Sequence, residues 1–229
     1  MLNIHLKQLF KMSTKTELAL QMRLKLLESA GEAFADKGFA KATIREICDR
    51  AGANVAAVNY YFRDKEGLYL EAIKYWSEES RKKYPHDLDL DPHATTEEKL
   101  HAFVRSFLFR MLDKSRPGWH GKLIAREMVE PTGVLDGLIE TAYRPMNDRL
   151  RQIIRELGRD RLSDVEVRLC SRSILGQCLY YRFARPVISR LDPEDTFEPP
   201  DIERLADHIT GFSVQGIREL AEEKEIVPK

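Results

Sequence analysis

The chain is 229 residues long and 43% of its residues are hydrophobic, so it can bury a substantial core as one large or two modest domains. Charged residues make up 32% of the sequence, but the formal net charge is +0, which excludes a uniformly basic nucleic-acid-binding protein. The charge is nevertheless uneven: residues 1–85 contain 15 basic and 11 acidic residues, whereas residues 86–229 contain 22 and 26. A positive first third favours attraction to phosphate there, and a solvated surface of uneven charge is the alternative.

Residues 1–15 are predicted to be a lead-in before the first helix. His5, Lys7 and Lys11 interrupt the segment, so it contains no apolar run long enough for a signal peptide or a membrane span. The start could be Met1 or Met12, and both stay open. Three cysteines without a close CxxC pair indicate neither a disulfide framework nor a zinc ribbon, so we expect a cytoplasmic protein.

Residues 16–63 predict three helices. The first runs from about residue 16 to residue 37. The second begins at Thr43, which is a suitable N-cap, and Glu46 completes the S/T-x-x-E pattern of a capping box. Gly52 ends this helix, and Asn54 can cap the third.

The residue pattern of the third helix predicts a surface that can enter a DNA major groove. Val58, Tyr61 and Phe62 share an inward face. The outward set is mostly small: Val55, Ala56, Ala57, Asn59 and Tyr60. A short helix with such a face can press deeply into the groove. An ordinary helical hairpin shows the same pattern, so the pattern alone leaves both interpretations open.

Residues 43–65, TIREICDRAGANVAAVNYYFRDK, resemble the DNA-binding domain of the TetR family of transcriptional regulators. The matching residues are Thr43, Ile47, Cys48, Ala51, Gly52, Asn54, Tyr61, Phe62, Lys65 and Leu68. Cys48, Ala56 and Asn59 depart from the usual alanine, glycine and tyrosine, and Asn59 should alter base preference. We expect DNA contacts from Thr43, Arg45, Asn54, Val55, Ala56, Ala57, Asn59, Tyr60, Tyr61 and Lys65.

The rest of the chain also shows helical periodicity. A connecting helix is expected at residues 64–84, followed by a linker from Pro85 to Pro92 and a body that extends to residue 229. The body predicts helices at about 96–114, 119–130, 132–157, 163–183 and 201–222, with a break at Pro117–Gly118 and a proline-rich interval at 186–200. Ser163 and Glu166 form a second capping-box pattern. The expected fold is all-α with about nine helices and no strands.

The family resemblance implies that the body (85–229) is a ligand-binding and dimerisation domain. Candidate apolar or amphipathic wall residues are Phe103, Phe107, Met111, Trp119, Met128, Tyr143, Cys178 and Tyr181, with Arg126, Asn147 and Gln177 as polar groups. Such a stripe is also typical of a plain helical core. Arg126 and Glu127 are either a buried pair or a surface couple, since neighbours on a helix do not face each other. The resemblance also implies a homodimer through Ser163–Phe183 and Asp201–Glu222.

The predicted function is therefore a ligand-responsive repressor that binds double-stranded operator DNA and is released by a small-molecule effector. The segment NVAAVNYYF and residues 122–132 resemble the CecR-like branch of the family, which implies an efflux or detoxification target. The alternative is a helical interaction or scaffold protein that has lost DNA function. An enzyme ranks third, because catalytic motifs are missing and six scattered histidines favour neither a metal site nor a cofactor.

Overall fold

The computed structural model describes residues 2–85, 90–112 and 119–226, and within these ranges the side chains from residue 16 to residue 224 except that of His120. In these ranges every regular element is a helix, which confirms the all-α prediction. None of the described helices is both long and apolar enough to cross a membrane. The middle of the predicted linker (86–89), the end of the predicted 96–114 helix and the break at Pro117–Gly118 lie outside the described residues.

Eleven α-helices occur in the described ranges, in place of the nine helices expected. They are α1 (Leu2–Lys41), α2 (Ile44–Ala51), α3 (Val55–Phe62), α4 (Lys65–Lys83), α5 (Thr96–Leu112), α6 (Trp119–Val129), α7 (Leu135–Leu138), α8 (Arg144–Leu157), α9 (Asp164–Phe183), α10 (Arg185–Leu191) and α11 (Pro199–Ile226). A π-helical turn, Ile139–Tyr143, joins α7 to α8.

Several elements differ from the sequence prediction, among them the predicted helix at 132–157, which is divided into α7, the π turn and α8. Helix α1 begins at Leu2 rather than near residue 16, because neither glycine nor proline interrupts residues 2–30. Helix α10 lies inside the proline-rich interval: Pro186 occupies the first turn of the helix, where a missing N–H breaks no hydrogen bond, and Ile188 is buried. Prolines at positions 199 and 200 likewise open α11.

The chain forms two compact units. The first contains α1 to α3, most of α4, and residues 119–139, which include α6 and α7. The second contains the described residues from Glu78 to α5 and from Glu140 onward. Residues 119–139 were assigned to the body from the sequence, whereas in the structure they pack against α1. The first unit is therefore discontinuous in sequence.

The first unit has its core between α1 and the helices packed on it. Leu26, Leu27 and Phe34 of α1 are fully buried, as is Leu68 of α4. Helix α6 approaches α1 closely because Gly31 leaves room for the Trp119 indole, and a Cβ at position 31 would overlap that ring. The contact therefore depends on glycine at this position.

The second unit packs α5, α8, α9 and α11 around one hydrophobic core. Its fully buried members include Leu100, Leu108, Leu150 and Ile154. Helix α9 begins with a complete capping box: the Ser163 hydroxyl accepts from the backbone N–H of Glu166, and the Glu166 carboxylate accepts from the backbone N–H of Ser163. The predicted start of this helix is thus confirmed.

Candidate nucleic-acid interface

Two side-chain caps position the helices predicted to read DNA. The Thr43 hydroxyl accepts from the backbone N–H of Glu46 at 3.2 Å, and the Asn54 side-chain oxygen accepts from the N–H of Ala56 at 3.0 Å. Between them Gly52 adopts the left-handed conformation with φ 63°, which turns the chain between α2 and α3. The helix-turn-helix geometry predicted from the sequence is therefore confirmed.

The Glu46 side chain does not have its predicted role in a capping box at Thr43. Its carboxylate instead accepts from Lys37 and from Arg50, each at 2.7 Å. The hydrogen bond from Lys37, with that from Arg50, holds the pKa of Glu46 below its ordinary value. Glu46 thus ties α2 to the end of α1.

Helix α3 has a buried face and an exposed face. Val58 and Phe62 are buried, whereas Tyr60 is 82% exposed and Val55 is 44% exposed. Ala56 and Asn59 are also exposed and Ala57 is half-buried, as expected for the outward set. Tyr61 was predicted to lie on the inward face, but it is only half-buried, and its ring meets the Tyr60 ring edge-on at 4.9 Å.

Two of the predicted DNA contacts are basic residues on the neighbouring helices α2 and α4. Arg45 on α2 is exposed. Lys65 opens α4, as predicted, and its ammonium donates to the Ala40 carbonyl at 3.3 Å while lying 4.7 Å from the centre of the Phe39 ring. A lysine ammonium has three donors, so this arrangement leaves it able to contact a further anion.

The predicted ligand residues fall into both units. Trp119, Arg126 and Met128 belong to the first unit. Trp119 is buried against Gly31 and meets Trp76 edge-on at 5.2 Å, and the Arg126 guanidinium lies against Gly38. Met128 is 48% exposed. Packing against α1 is therefore the role that the structure gives to Trp119 and Arg126.

The other eight predicted ligand residues belong to the second unit. Phe103 and Cys178 are buried in its core, and Phe107 stacks on Phe103 with ring centres 6.4 Å apart. Burial raises the pKa of the Cys178 thiol to about 12, so this thiol stays protonated. Half-buried residues at the edge of the core complete the set: Phe107, Met111, Tyr143, Asn147, Gln177 and Tyr181.

Asn147 links two helices of the second unit. Its amide donates to the Tyr143 carbonyl at 3.1 Å and its side-chain oxygen accepts from the Ser171 hydroxyl at 3.4 Å. Gln177 donates to the Ser173 carbonyl within α9. Burial is the main cause that raises the pKa of Tyr181. These polar groups already have protein partners, which a ligand would have to replace or share.

Two surface clefts of the second unit are charged rather than apolar. The larger, of about 380 Å³, lies where α5 begins and α8 and α11 end, and it is lined by Thr96, Glu97, Glu156, Leu157, Arg159, Arg161, Arg218, Ala221 and Glu222. The smaller is lined by Arg151, Arg155, Asp164, Val167 and Arg168. Neither cleft contains any of the eleven predicted ligand residues. Sequence reasoning missed the larger cleft because its charges are far apart in the chain.

Within the described ranges, histidine, cysteine and acidic side chains form no group of three that could hold a metal ion.

Comparison with known proteins identifies both parts of the chain. The model of the bacterial regulatory proteins of the tetR family matches residues 26–72, and the model of the C-terminal domain of the HTH-type transcriptional dual regulator CecR matches residues 96–217. The CecR protein of Shigella flexneri is 26% identical over 182 residues, which cover 73% of this chain and 78% of that protein.

Solved structures show the same fold. A transcriptional regulator from Pseudomonas aeruginosa PAO1 aligns with a TM-score of 0.65 at 20% identity, over 86% of this chain and 92% of that one. FadR from Bacillus subtilis, solved in complex with stearoyl-CoA, aligns with a TM-score of 0.60 at 16% identity, over 84% and 98%. Because the CecR C-terminal model covers more than half of the chain and the tetR model matches its helix-turn-helix, the protein belongs to the TetR family of transcriptional regulators, in its CecR-like branch.

Proposed function

We propose that this DNA-binding regulator is a repressor that binds its operator through α3 and dissociates from it when a small molecule binds to the protein. One observation carries the proposal: α3 exposes Val55, Asn59 and Tyr60 while Val58 and Phe62 anchor it in the first unit. A helix held from behind with small side chains in front fits the major groove. A scaffold protein that kept this domain but lost DNA function would tolerate the removal of Asn59 and Tyr60, whereas an active DNA reader would not.

Base reading is assigned to Arg45 and Asn59. An arginine can donate two hydrogen bonds to guanine O6 and N7, and an asparagine can pair with adenine N6 and N7. Both side chains are exposed. Each pairing is worth about 1–3 kcal/mol of discrimination against the wrong base.

Binding-site selection with the full chain tests this assignment. Arg45→Ala and Asn59→Ala should each relax the selected motif at one symmetric pair of positions. Arg159→Ala in the second unit changes charge equally and should leave the motif intact. Identical motifs for the wild type and both variants would contradict direct reading by Arg45 and Asn59, and the lack of any selected motif would favour the scaffold alternative.

Phosphate anchoring is assigned to Lys65 and Thr43. Contacts to the DNA backbone position the reading helix and do not depend on base sequence. Lys65→Ala should therefore weaken binding to all sequences alike and lower the slope of log affinity against log salt by about one. A salt titration with an unchanged slope would remove Lys65 from the interface.

The second unit presents apolar side chains that suit a homodimer. Leu169 and Tyr180 of α9 and Phe212 of α11 are 54%, 53% and 67% exposed. An apolar surface of this kind gains free energy when a second copy covers it. In sedimentation experiments Leu169→Glu should therefore shift the protein towards monomer, whereas Leu18→Glu on α1, which is 65% exposed, should not. An undiminished dimer after Leu169→Glu would contradict this interface.

The effector-binding site is assigned to the apolar interior of the second unit. FadR, a relative in fold, was solved with stearoyl-CoA, whose long acyl chain is apolar, and this supports an effector with a long apolar part here. Tyr143, Asn147, Gln177 and Tyr181 are the proposed levers, because they lie at the edge of that interior and carry polar groups. Large-to-small changes there should alter release by the effector while leaving ligand-free DNA affinity within about threefold.

Release of the operator by an effector is tested by titrating acyl-CoA, and separately apolar small molecules, against the preformed protein–operator complex. Linkage requires that DNA weaken effector binding by the same factor by which the effector weakens DNA binding. A coupling of about 1–3 kcal/mol changes affinity five- to 150-fold, which fluorescence anisotropy resolves easily. A dimer that binds its operator unaffected by every such molecule would contradict a ligand switch.

A further inference from the structure

Glu127, near the end of α6, is the one buried charged side chain among the described residues, with 1% of its surface exposed. Its carboxylate accepts from the Tyr69 hydroxyl at 2.8 Å, from the backbone N–H of Thr132 at 2.8 Å and from the Thr132 hydroxyl at 3.0 Å. Removing a carboxylate from water is costly unless such donors replace the water. Glu127 therefore joins α6 to the first turns of α4 through a directional bond.

Tyr69 continues this connection towards the DNA-facing end of the first unit. Its ring meets Phe34 edge-on at 4.8 Å and contacts Phe39 at 5.2 Å between ring centres. The Lys65 ammonium lies over the Phe39 ring, 4.7 Å from its centre. Lys65 and Tyr69 are four residues apart in α4 and so share one face of the helix.

Helix α6 is itself held firmly on α1 at two places. The Trp119 indole occupies the space that Gly31 leaves, and the Arg126 guanidinium lies beside Gly38, where a Cβ would come within 2.5 Å of it. The two contacts lie seven residues apart in both segments, which is two turns of α6, while on the α1 side Gly38 with φ 78° is itself non-helical. These two contacts leave Glu127 little freedom to follow Tyr69 if α4 shifts.

We propose that Glu127 is a positioning residue for DNA recognition, which acts through Tyr69 and Phe39 to hold the Lys65 ammonium where it meets a backbone phosphate. A free lysine side chain loses much rotamer freedom when it binds, and a side chain already ordered in the unbound protein loses less. The inference rests on the proposed DNA function. Glu127 would then contribute to DNA recognition without contacting DNA itself.

The test measures operator affinity across a salt series for the full-length wild type, Tyr69→Phe, Glu127→Gln, Lys65→Ala and the two double variants with Lys65→Ala. Tyr69→Phe and Glu127→Gln should each weaken binding three- to tenfold and lower the salt slope towards that of Lys65→Ala. In the Lys65→Ala background neither should weaken binding further, because their effect passes through Lys65.

The sign of the Glu127→Gln effect is informative. Removing a negative charge should strengthen binding to DNA by simple electrostatics, so a loss of affinity cannot come from the change in charge. Glu28→Gln is the matched control, since it removes the same charge from an exposed position of α1 in the same unit, outside this connection. Its affinity should be unchanged or slightly higher.

Three results would separate the possibilities. In the first result, the wild type binds DNA, but the affinity losses of Tyr69→Phe and Glu127→Gln add to that of Lys65→Ala and leave the salt slope unchanged. This result would overturn the positioning role, and Glu127 would then have only a structural role. Unchanged affinity in Tyr69→Phe would overturn it as well, even if Glu127→Gln does not fold. A wild type that selects no DNA would overturn the proposed function itself, and this role with it.

Discussion

Two glycines of the first unit and one of the second have opposite surroundings. In the first unit, Gly31 and Gly38 lie directly against Trp119 and Arg126, and an added methyl group would collide with either side chain. In the second unit, Gly211 of α11 has nothing within 4 Å of where a Cβ would stand. At positions 31 and 38 glycine thus permits close contact with α6, whereas Gly211 lies on an exposed face of α11.

Charged groups differ between the units in the same way. The first unit buries one carboxylate, Glu127, and satisfies it with neutral donors. The second unit keeps its ion pairs near the surface, including Arg105 with Glu203, His101 with Asp207 and Arg218 with Glu97 between α5 and α11. Both units bury a large apolar core; among the described residues the first unit also buries a charged side chain, and the second does not.

The largest expected effect is that of Gly31→Ala. The new methyl group would overlap the Trp119 ring, and overpacking of this kind typically costs about 1–3 kcal/mol. Urea unfolding followed by tryptophan fluorescence measures it, because both tryptophans of the chain, Trp76 and Trp119, lie in the first unit.

Gly211→Ala is the matched control for the second unit. An alanine there meets open space, so far-UV circular dichroism should show unchanged or higher stability, by up to about 1 kcal/mol. Equal destabilisation by both variants would mean that the contrast between the glycines has no energetic basis.

Asn54→Ala should have the next largest effect. Losing the side-chain cap of α3 should cost about 1 kcal/mol of stability in the first unit. Asn54→Asp keeps the acceptor oxygen and should restore most of it. If aspartate proved as harmful as alanine, capping would not explain the role of this residue in folding.

A pH titration tests the start of α9. The hydrogen bond from the Ser163 hydroxyl, with the contact from Lys224, lowers the pKa of Glu166 from 4.5 to about 2. A lowered pKa stabilises the folded state above the ordinary value, and this contribution disappears as the pH falls from about 4.5 to 2. The difference in thermal midpoint between wild type and Glu166→Gln should therefore be constant from neutral pH to about 5 and shrink below it. A constant difference down to pH 2.5 would contradict this assignment.

The smallest effect is expected for Arg105→Ala. Its guanidinium makes a bidentate pair with Glu203 at 2.7–2.9 Å and lies 5.0 Å from the centre of the Phe109 ring, but a third of the side chain is exposed. Pairs of this kind contribute less than about 1 kcal/mol. Chemical denaturation at low and high salt measures it, and a loss as large as that of Gly31→Ala would reverse the proposed contrast between the units.

Local signals predicted the reading helices well. The positions of Thr43, Gly52 and Asn54 determine where α2 and α3 begin and end through hydrogen bonds that span only two to four residues. The inward position of Val58 and the outward position of Tyr60 follow from helical periodicity alone. Such features depend on neighbours in the chain, so a single sequence contains them.

Contacts between distant residues could not be predicted in this way. Trp119 and Arg126 looked like ligand residues because their aromatic and cationic side chains suit a pocket, yet their partners Gly31 and Gly38 are 88 residues away in each case. Glu127 was a candidate for pairing with Arg126, whereas its donors come from α4 and from Thr132. The ligand and DNA contacts themselves stay predictions.

The π-helical turn Ile139–Tyr143 gives the chain a sensitivity to length at one point. Each π turn accommodates one residue more than an α turn, so a single-residue deletion there would remove the extra residue between α7 and α8. The helical register of the residues next to the deletion would then shift by one residue, which is about 100° about the helix axis. A one-codon deletion at this place would therefore change the helical register without substituting any other side chain of the protein.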